Sequence, residues 1–287
     1  MNRSSKTVPI FLLVGVIAAA ILRFFQYVSI IDYKTGFFVS GGEAAGALIY
    51  ILLGILSAVL IVLLIIGKKR GEAAYTVASD GMGSHATQAL GASELAAACL
   101  FGLHAINSGT VLTTICAGAI AIFLVASGFI QLKNIVPPAI TGHLKIVCAI
   151  LLFPILAEFY ESDLIMHRRS DKLIVIIGYI FIGAFFASIS RFYSRLETPN
   201  SRMRELITSG MTFIITSAHT LPKMLAYAFG GTVVSGMSGI DLIITAAMLM
   251  SYTFICTLFF TTKSKDIIPV VYEDEEKKEE EDDASLE

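Results

Sequence analysis

An all-α bundle of about eight membrane-spanning helices is the fold class that this sequence predicts, and three observations predict it. The chain has 287 residues, of which 55% are hydrophobic and 15% charged. A soluble domain runs at about 45–50% apolar and roughly 25% charged. The apolar residues also fall in long runs, several of them beyond the ~18 that mark a transmembrane helix. Finally, the charge is segregated. Residues 264–287 hold Lys265, Lys277 and Lys278 against eleven acids, a net of −8, while the remainder holds eighteen basic and twelve acidic residues, a net of +6. The sequence is therefore read as a polytopic helix bundle over 1–265 and a disordered acidic tail over 266–287, since so charged a segment cannot bury enough surface to fold. The bilayer is the partner that this composition implies. The basic residues sit at loop edges and form no stripe with aromatics, which argues against nucleic acid.

The first span is placed at 8–28, behind Arg3 and Lys6. Small residues at Ala18, Ala19 and Ala20 would suit signal cleavage, but apolar sequence continues through Phe24, Phe25 and Tyr27, which favours a retained span. The second span is 44–66, opened by a GxxxG of Gly42 and Gly46 suited to close helix contact and closed by Lys68, Lys69 and Arg70. A polar stretch containing Asp80 to His85 leads to the third span, 88–107, which carries Glu94, His104 and Asn107. Ser108-Gly109-Thr110 joins it tightly to the fourth, 111–130. Pro137 and Pro138 then break the helix, because proline cannot continue it and restrains the residue before. The fifth span, 140–159, holds Pro154 as an expected kink and ends near Glu158. The sixth is 173–192, after a loop with Arg168 and Arg169. The seventh, 205–229, is the most polar, with Thr208, Thr212, Thr216 and Thr220 at four-residue spacing, which drift along one helix face. His219 and Lys223 lie near that face and Pro222 interrupts the backbone ladder. A glycine-rich link leads to the eighth span, 240–260, with Asp241 in its first turn.

Orientation follows from the basic residues near the spans. With the N-terminus inside, thirteen fall on the inner side (Lys133, Lys145 and four arginines from 191 to 204 among them) and six on the outer side, Arg23 and Lys223 included. Both termini are thus expected in the cytoplasm, with the protein in the cell membrane.

The run RFFQYVSIIDYKTGFF, in which Arg23 closes the first span and Asp32 leads to Thr35-Gly36, resembles the opening of a group of uncharacterised multi-spanning membrane proteins from clostridial Firmicutes. The resemblance covers these sixteen residues and implies a bacterial, Gram-positive host. It implies no activity.

Placed by depth, the intramembrane polar residues gather towards the outer side. His104, Asn107, Glu158, His219, Lys223 and Asp241 are expected near one level, with Thr212 and Thr216 leading towards them. Charges in hydrocarbon face a bundle interior or a water-filled cavity, so these residues are read as the lining of an outward-opening polar vestibule. Snorkelling anchors are the plainer reading of the same charges, and back-bonding to the previous turn is the plainer reading of the threonines. Glu158 and Lys223 are expected to pair across spans five and seven.

Enzyme signatures are weak. Gly236-Met237-Ser238-Gly239 matches the GxSG of rhomboid proteases, but no His follows Ser238 to act as base. Lys223 on a seventh span suggests a retinal-binding lysine, yet the chain has no Trp and an eighth span follows. The five histidines show no metal-ligand spacing, and no Walker A is present. Cys99, Cys116, Cys148 and Cys256 all fall inside spans and read as small buried hydrophobes. No cofactor and no metal is expected. The leading functional reading is a permease or permease-like subunit for a small solute. The alternative is a non-transporting scaffold or regulatory subunit whose acidic tail engages a cytoplasmic protein.

Overall fold

The computed structural model describes residues 7–30, 42–71, 73–75, 84–133, 138–161, 170–194, 196, 201–230 and 239–260. The loop with Asp32 and Thr35, the Arg168–Arg169 loop, Ser238 and the acidic tail lie outside the described residues. Among those described, the chain is all-helical, with eight long helices: α1 (Thr7–Ser29), α2 (Glu43–Lys69), α3 (Ser84–Asn107), α4 (Val111–Lys133), α5 (Ile140–Glu161), α6 (Ser170–Tyr193), α7 (Ser201–Gly230) and α8 (Gly239–Phe260). Seven of them are long and apolar enough to cross a membrane, so the chain is a multi-pass integral membrane protein.

The helix that falls short in apolar character is α7, although at 30 residues it is the longest, about 45 Å at 1.5 Å per residue. Most of the polar side chains in its middle face protein. Ser209, Thr212, Thr216, Ser217, His219 and Thr220 are all buried, and α7 packs against α1, α2, α6 and α8. A helix surrounded by other helices does not need a hydrocarbon surface to stay in a membrane. It also starts four residues earlier than the expected span. Arg202 and Arg204, read as loop charges, belong to its first turns. Arg202 pairs with Glu205 at 3.1 Å and lies 4.5 Å over the Phe192 ring of α6, contacts that continue the helix towards the end of the bundle.

Successive helices run antiparallel, as their contacts show. Gln26 of α1 donates to the Ala45 carbonyl at the start of α2. Thr113 at the start of α4 meets Glu158 at the end of α5, whereas Ser127 near the end of α4 meets Lys145 near the start of α5. Phe213 of α7 stacks on Tyr252 of α8 at 4.6 Å. The starts of α1, α3, α5 and α7 thus share one end of the bundle with the ends of α2, α4, α6 and α8. We refer to it as the N-terminal end.

Two groups of helices build the core. α3, α4, α5 and α6 pack successively, α8 packs on α3, and the narrower contact of Phe254 of α8 with Phe185 and Phe192 of α6 closes a ring. α7 lies outside the ring against α6 and α8, with α1 and α2 packed on it. One of the tight approaches in the ring is Gly91 of α3 against Gly128 of α4. A Cβ on either would come within 2.8–2.9 Å of the other's carbonyl oxygen, so only glycine permits this crossing. The middle of the ring is apolar: Phe101, Ile120, Leu124, Leu152, Ile182, Phe185 and Phe254 are all buried there, and Phe254 packs edge-on against Phe185 and Phe192 at 6.1 and 5.3 Å.

Candidate functional site

Two polar centres stand at opposite ends of this apolar middle. The first lies towards the N-terminal end. Glu94 sits on the α3 face that also buries Gly91, Ala98 and Phe101, and Lys145 is five residues into α5. The Lys145 ammonium lies 2.5 Å from Glu94 Oε2, with side-chain exposures of 0% and 1%. The two residues come from helices that are not neighbours in the ring, so the pair crosses its interior. Two residues on one face of α4 complete it. The Ser127 hydroxyl donates to Glu94 Oε2, and Gln131 Nε2 donates to Glu94 Oε1 at 2.8 Å. Lys145 Nζ also donates to Ser127 Oγ at 2.9 Å. Tyr193, at the end of α6, reaches Gln131 Oε1 at 3.4 Å. Four helices are thereby tied through one carboxylate, and every side chain in the set is buried.

A Ser–Lys contact of this kind is also the arrangement of some hydrolases, where the lysine must offer a lone pair as base. Here Lys145 is held by a carboxylate and donates to Ser127. The arrangement is an ion pair with its hydrogen-bond shell, and its burial leaves no approach for a substrate.

The second centre lies at the other end and is built by α7 and α8. Asp241, in the first turn of α8, is 1% exposed. His219 Nε2 is 2.7 Å from its Oδ1, and Lys223 Nζ donates to the same oxygen at 3.0 Å. His219 and Lys223 are four residues apart, so α7 presents them from one face. The Lys223 side chain is 17% exposed, the one member of this cluster with a way out of the bundle. Beside it, His104 of α3 rests its Nδ1 against Gly239; a Cβ there would come within 2.5 Å, so a glycine at the start of α8 makes room for the imidazole. Glu158 of α5 is half-buried and accepts the Thr113 hydroxyl of α4.

The expected vestibule residues therefore divide. His219, Lys223 and Asp241 are brought into direct contact. His104 of α3 lies against Gly239 at the start of α8, two residues before Asp241, and Glu158 lies at the same end of the ring. Asn107 does not join them: it is exposed, and its Nδ2 donates back to the Leu103 carbonyl at 2.9 Å. The anticipated Glu158–Lys223 pair is corrected, since Lys223 turns to Asp241 and Glu158 to Thr113. The partner sits one helix further on because α7 packs on α8 and α6, not on α5.

Three of the four threonines in the row are satisfied within protein, whereas the Thr220 hydroxyl is buried with no hydrogen-bond partner among the described residues. Thr216 donates to the Thr212 carbonyl at 2.6 Å. Thr212 donates to the Thr208 carbonyl at 2.7 Å and across to Phe181 of α6 at 2.9 Å. Hydroxyls bonded back one turn lower the polarity of a helix face that must pack in an apolar setting.

Sequence reasoning missed the Glu94 centre. Glu94 has no evident role in the sequence, and Lys145 falls among the basic residues of the inner side. The signal was present: Lys145 falls inside the expected fifth span, and a lysine in a span demands a partner. Ser127 and Gln131, four residues apart on α4, supplied the matching polar face. The orientation count changes too, because Lys145, Arg23 and Arg202 are buried inside the bundle and do not act as loop charges.

No family model matches the chain, and neither a curated protein nor a solved structure matches it.

Proposed function

We propose that the chain is a permease, or the permease subunit of a larger assembly, for a small solute. Its mouth is the polar end formed by Asp241, His219, Lys223, Glu158 and His104, facing outwards, with both termini in the cytoplasm. The observation that carries this reading is the convergence of His219 and Lys223 on one buried Asp241 oxygen. Ionisable groups inside a membrane are costly and are characteristic of solute or ion pathways. Here three of them meet where one side chain still reaches the surroundings. A polar cluster at one end of an apolar bundle gives a solute a place to shed water before it crosses.

The test is solute flux into proteoliposomes holding the purified full chain, across a panel of small cations, anions, zwitterions and sugars. Uptake of one class that Asp241→Asn abolishes, with the variant still folded, supports the reading. No uptake above empty liposomes for any class counts against it.

One observation favours a second reading, a non-transporting scaffold or regulatory subunit. The Thr208, Ser209, Thr212 and Thr216 hydroxyls of α7 are spent on the helix itself and on α6, as in a helix built for packing. On that reading the acidic tail recruits a basic cytoplasmic protein. Pull-down of a partner by the full chain, lost on truncation after Lys265 and accompanied by no flux, would favour it.

A further inference from the structure

We propose that Glu94, Ser127, Gln131 and Lys145 are the closed gate of a path through the interior of the α3–α4–α5–α6–α8 ring, at its N-terminal end. This rests on the permease reading and moves the path from the α7 threonine face to the ring.

The geometry has three parts. Polar groups stand at both ends of the ring, with Glu94, Ser127, Gln131 and Lys145 at one and Thr113 with Glu158 at the other. Thr113 and Ser127 are fourteen residues apart on α4, and Glu158 and Lys145 thirteen apart on α5, which places the two levels about 20 Å apart. Between them the interior is an apolar layer, with Leu124 and Ile120 of α4, Leu152 of α5 and Phe185 of α6 at 0–3% exposure. The end near Glu158 is open to the extent that Glu158 is half-buried, whereas the Glu94 end is sealed.

A buried ion pair is weak evidence for stability, because well-packed apolar residues of similar volume do as well or better. What it supplies is a specific, separable contact. Glu94 and Lys145 join helices across the ring from one another, and Ser127 and Gln131 satisfy them from a third. The ion pair and four side-chain hydrogen bonds meet at this one point. The same groups become a polar lining when the pair separates, since each can hydrogen-bond water or a passing solute. An assembly that is neutral when closed and polar when open fits a gate better than it fits a plug.

The protein carries its own reporters. Cys148 lies one turn beyond Lys145, is 0% exposed and is within electrostatic reach of Lys145 and Glu94. Cys116 lies one turn beyond Thr113, is 5% exposed and is within reach of Glu158. One thiol therefore stands by each polar level, with the apolar layer between.

The experiment measures N-ethylmaleimide labelling of Cys148 and Cys116 by mass spectrometry, in the full chain with Cys99→Ser and Cys256→Ser, reconstituted in lipid nanodiscs. Ser127→Ala removes a hydroxyl that both charged groups use and strands no charge. It should speed Cys148 labelling by about tenfold, the factor that one or two lost buried hydrogen bonds give a local opening. Cys116 labelling should not change. Equal acceleration at both thiols means general loosening, and no acceleration at either means that the pair does not control access; each result overturns the gate. Tyr193→Phe, which removes only the outermost contact, is the milder second variant and should give the same pattern with a smaller factor. Because labelling needs no solute, the gate and the permease reading fail separately. Selective opening at Cys148 with no flux would leave the gate standing and the transport reading wrong.

Discussion

Glu94–Lys145 and Asp241–Lys223 are two carboxylate–ammonium pairs in one bundle, and they differ in where the cation can go. Both carboxylates are 1% exposed, but Lys145 is 0% exposed and Lys223 17%. The first pair is enclosed by four helices. The second is held by two helices near the start of α8, and the flexible Lys223 stem can carry its charge outwards along the apolar surface. A sealed pair stays closed while the helices around it stay in place, because neither partner reaches water or lipid without moving them. A pair with an exit can exchange its partner for water, for a lipid headgroup or for a solute. The comparison therefore separates a locking contact from a receptive one, although the residue types are almost the same.

The largest effect should come from breaking the sealed pair. Lys145→Met leaves Glu94 buried without its cation, for which losses of about 3–5 kcal/mol are typical. Glu94→Gln alone strands Lys145 in the same way. The double substitution Glu94→Gln, Lys145→Met removes both charges and should recover most of the loss. Thermal or denaturant unfolding of the purified variants measures this, and equal damage in the single and double variants would show that the two charges do not depend on each other.

At the open end the cost should be smaller. Asp241→Asn keeps an acceptor for His219 and lets Lys223 move outwards, so a loss of about 1–3 kcal/mol is expected. Lys223→Met and Asp241→Asn should be coupled, the double variant costing less than the sum of the two singles. Lys223→Met and Glu158→Gln should be additive within about 0.5 kcal/mol, because they share no partner. Coupling between Lys223 and Glu158 instead would return the pair expected from the sequence and remove Asp241 as the anchor of this end.

How much of this was legible can be argued from particular residues. The helices were legible because apolar runs of membrane length are set by the bilayer and by nothing more distant. The polar end was legible in part, because His219 and Lys223 lie four apart on one helix and depth along a helix is a local quantity. Their partner was not. Choosing Asp241 over Glu158 requires knowing that α7 packs on α8, and neighbour choice among eight helices is written in side-chain fit across chain distances that periodicity does not see. The Glu94 centre failed for a related reason. Lys145 stands five residues inside α5, where the positive-inside count reads a flanking charge, and only its position opposite α3 shows that it is spoken for. α7 was legible as the unusual helix, and its low apolarity is explained by its place among four others.

The smallest expected effect is at the threonine row, and it bears on where the path runs. Thr216 is fully buried and donates to the Thr212 carbonyl, one turn back on its own helix. That carbonyl already serves the α-helical ladder, so Thr216→Val removes a donor without stranding an acceptor, and the methyl group fills nearly the space of the hydroxyl. A stability change within about 1 kcal/mol is expected. Thr212→Val should cost more, because the Thr212 hydroxyl also reaches across to Phe181 of α6 at 2.9 Å and helps to set the packing of those two helices. If solute passes through the ring, neither hydroxyl touches it, and Thr216→Val should leave flux unchanged where Ser127→Ala alters it. A folded Thr216→Val variant that loses flux would put the solute on the α7 face after all, and the sealed Glu94–Lys145 pair would then be a lock between helices with no part in passage.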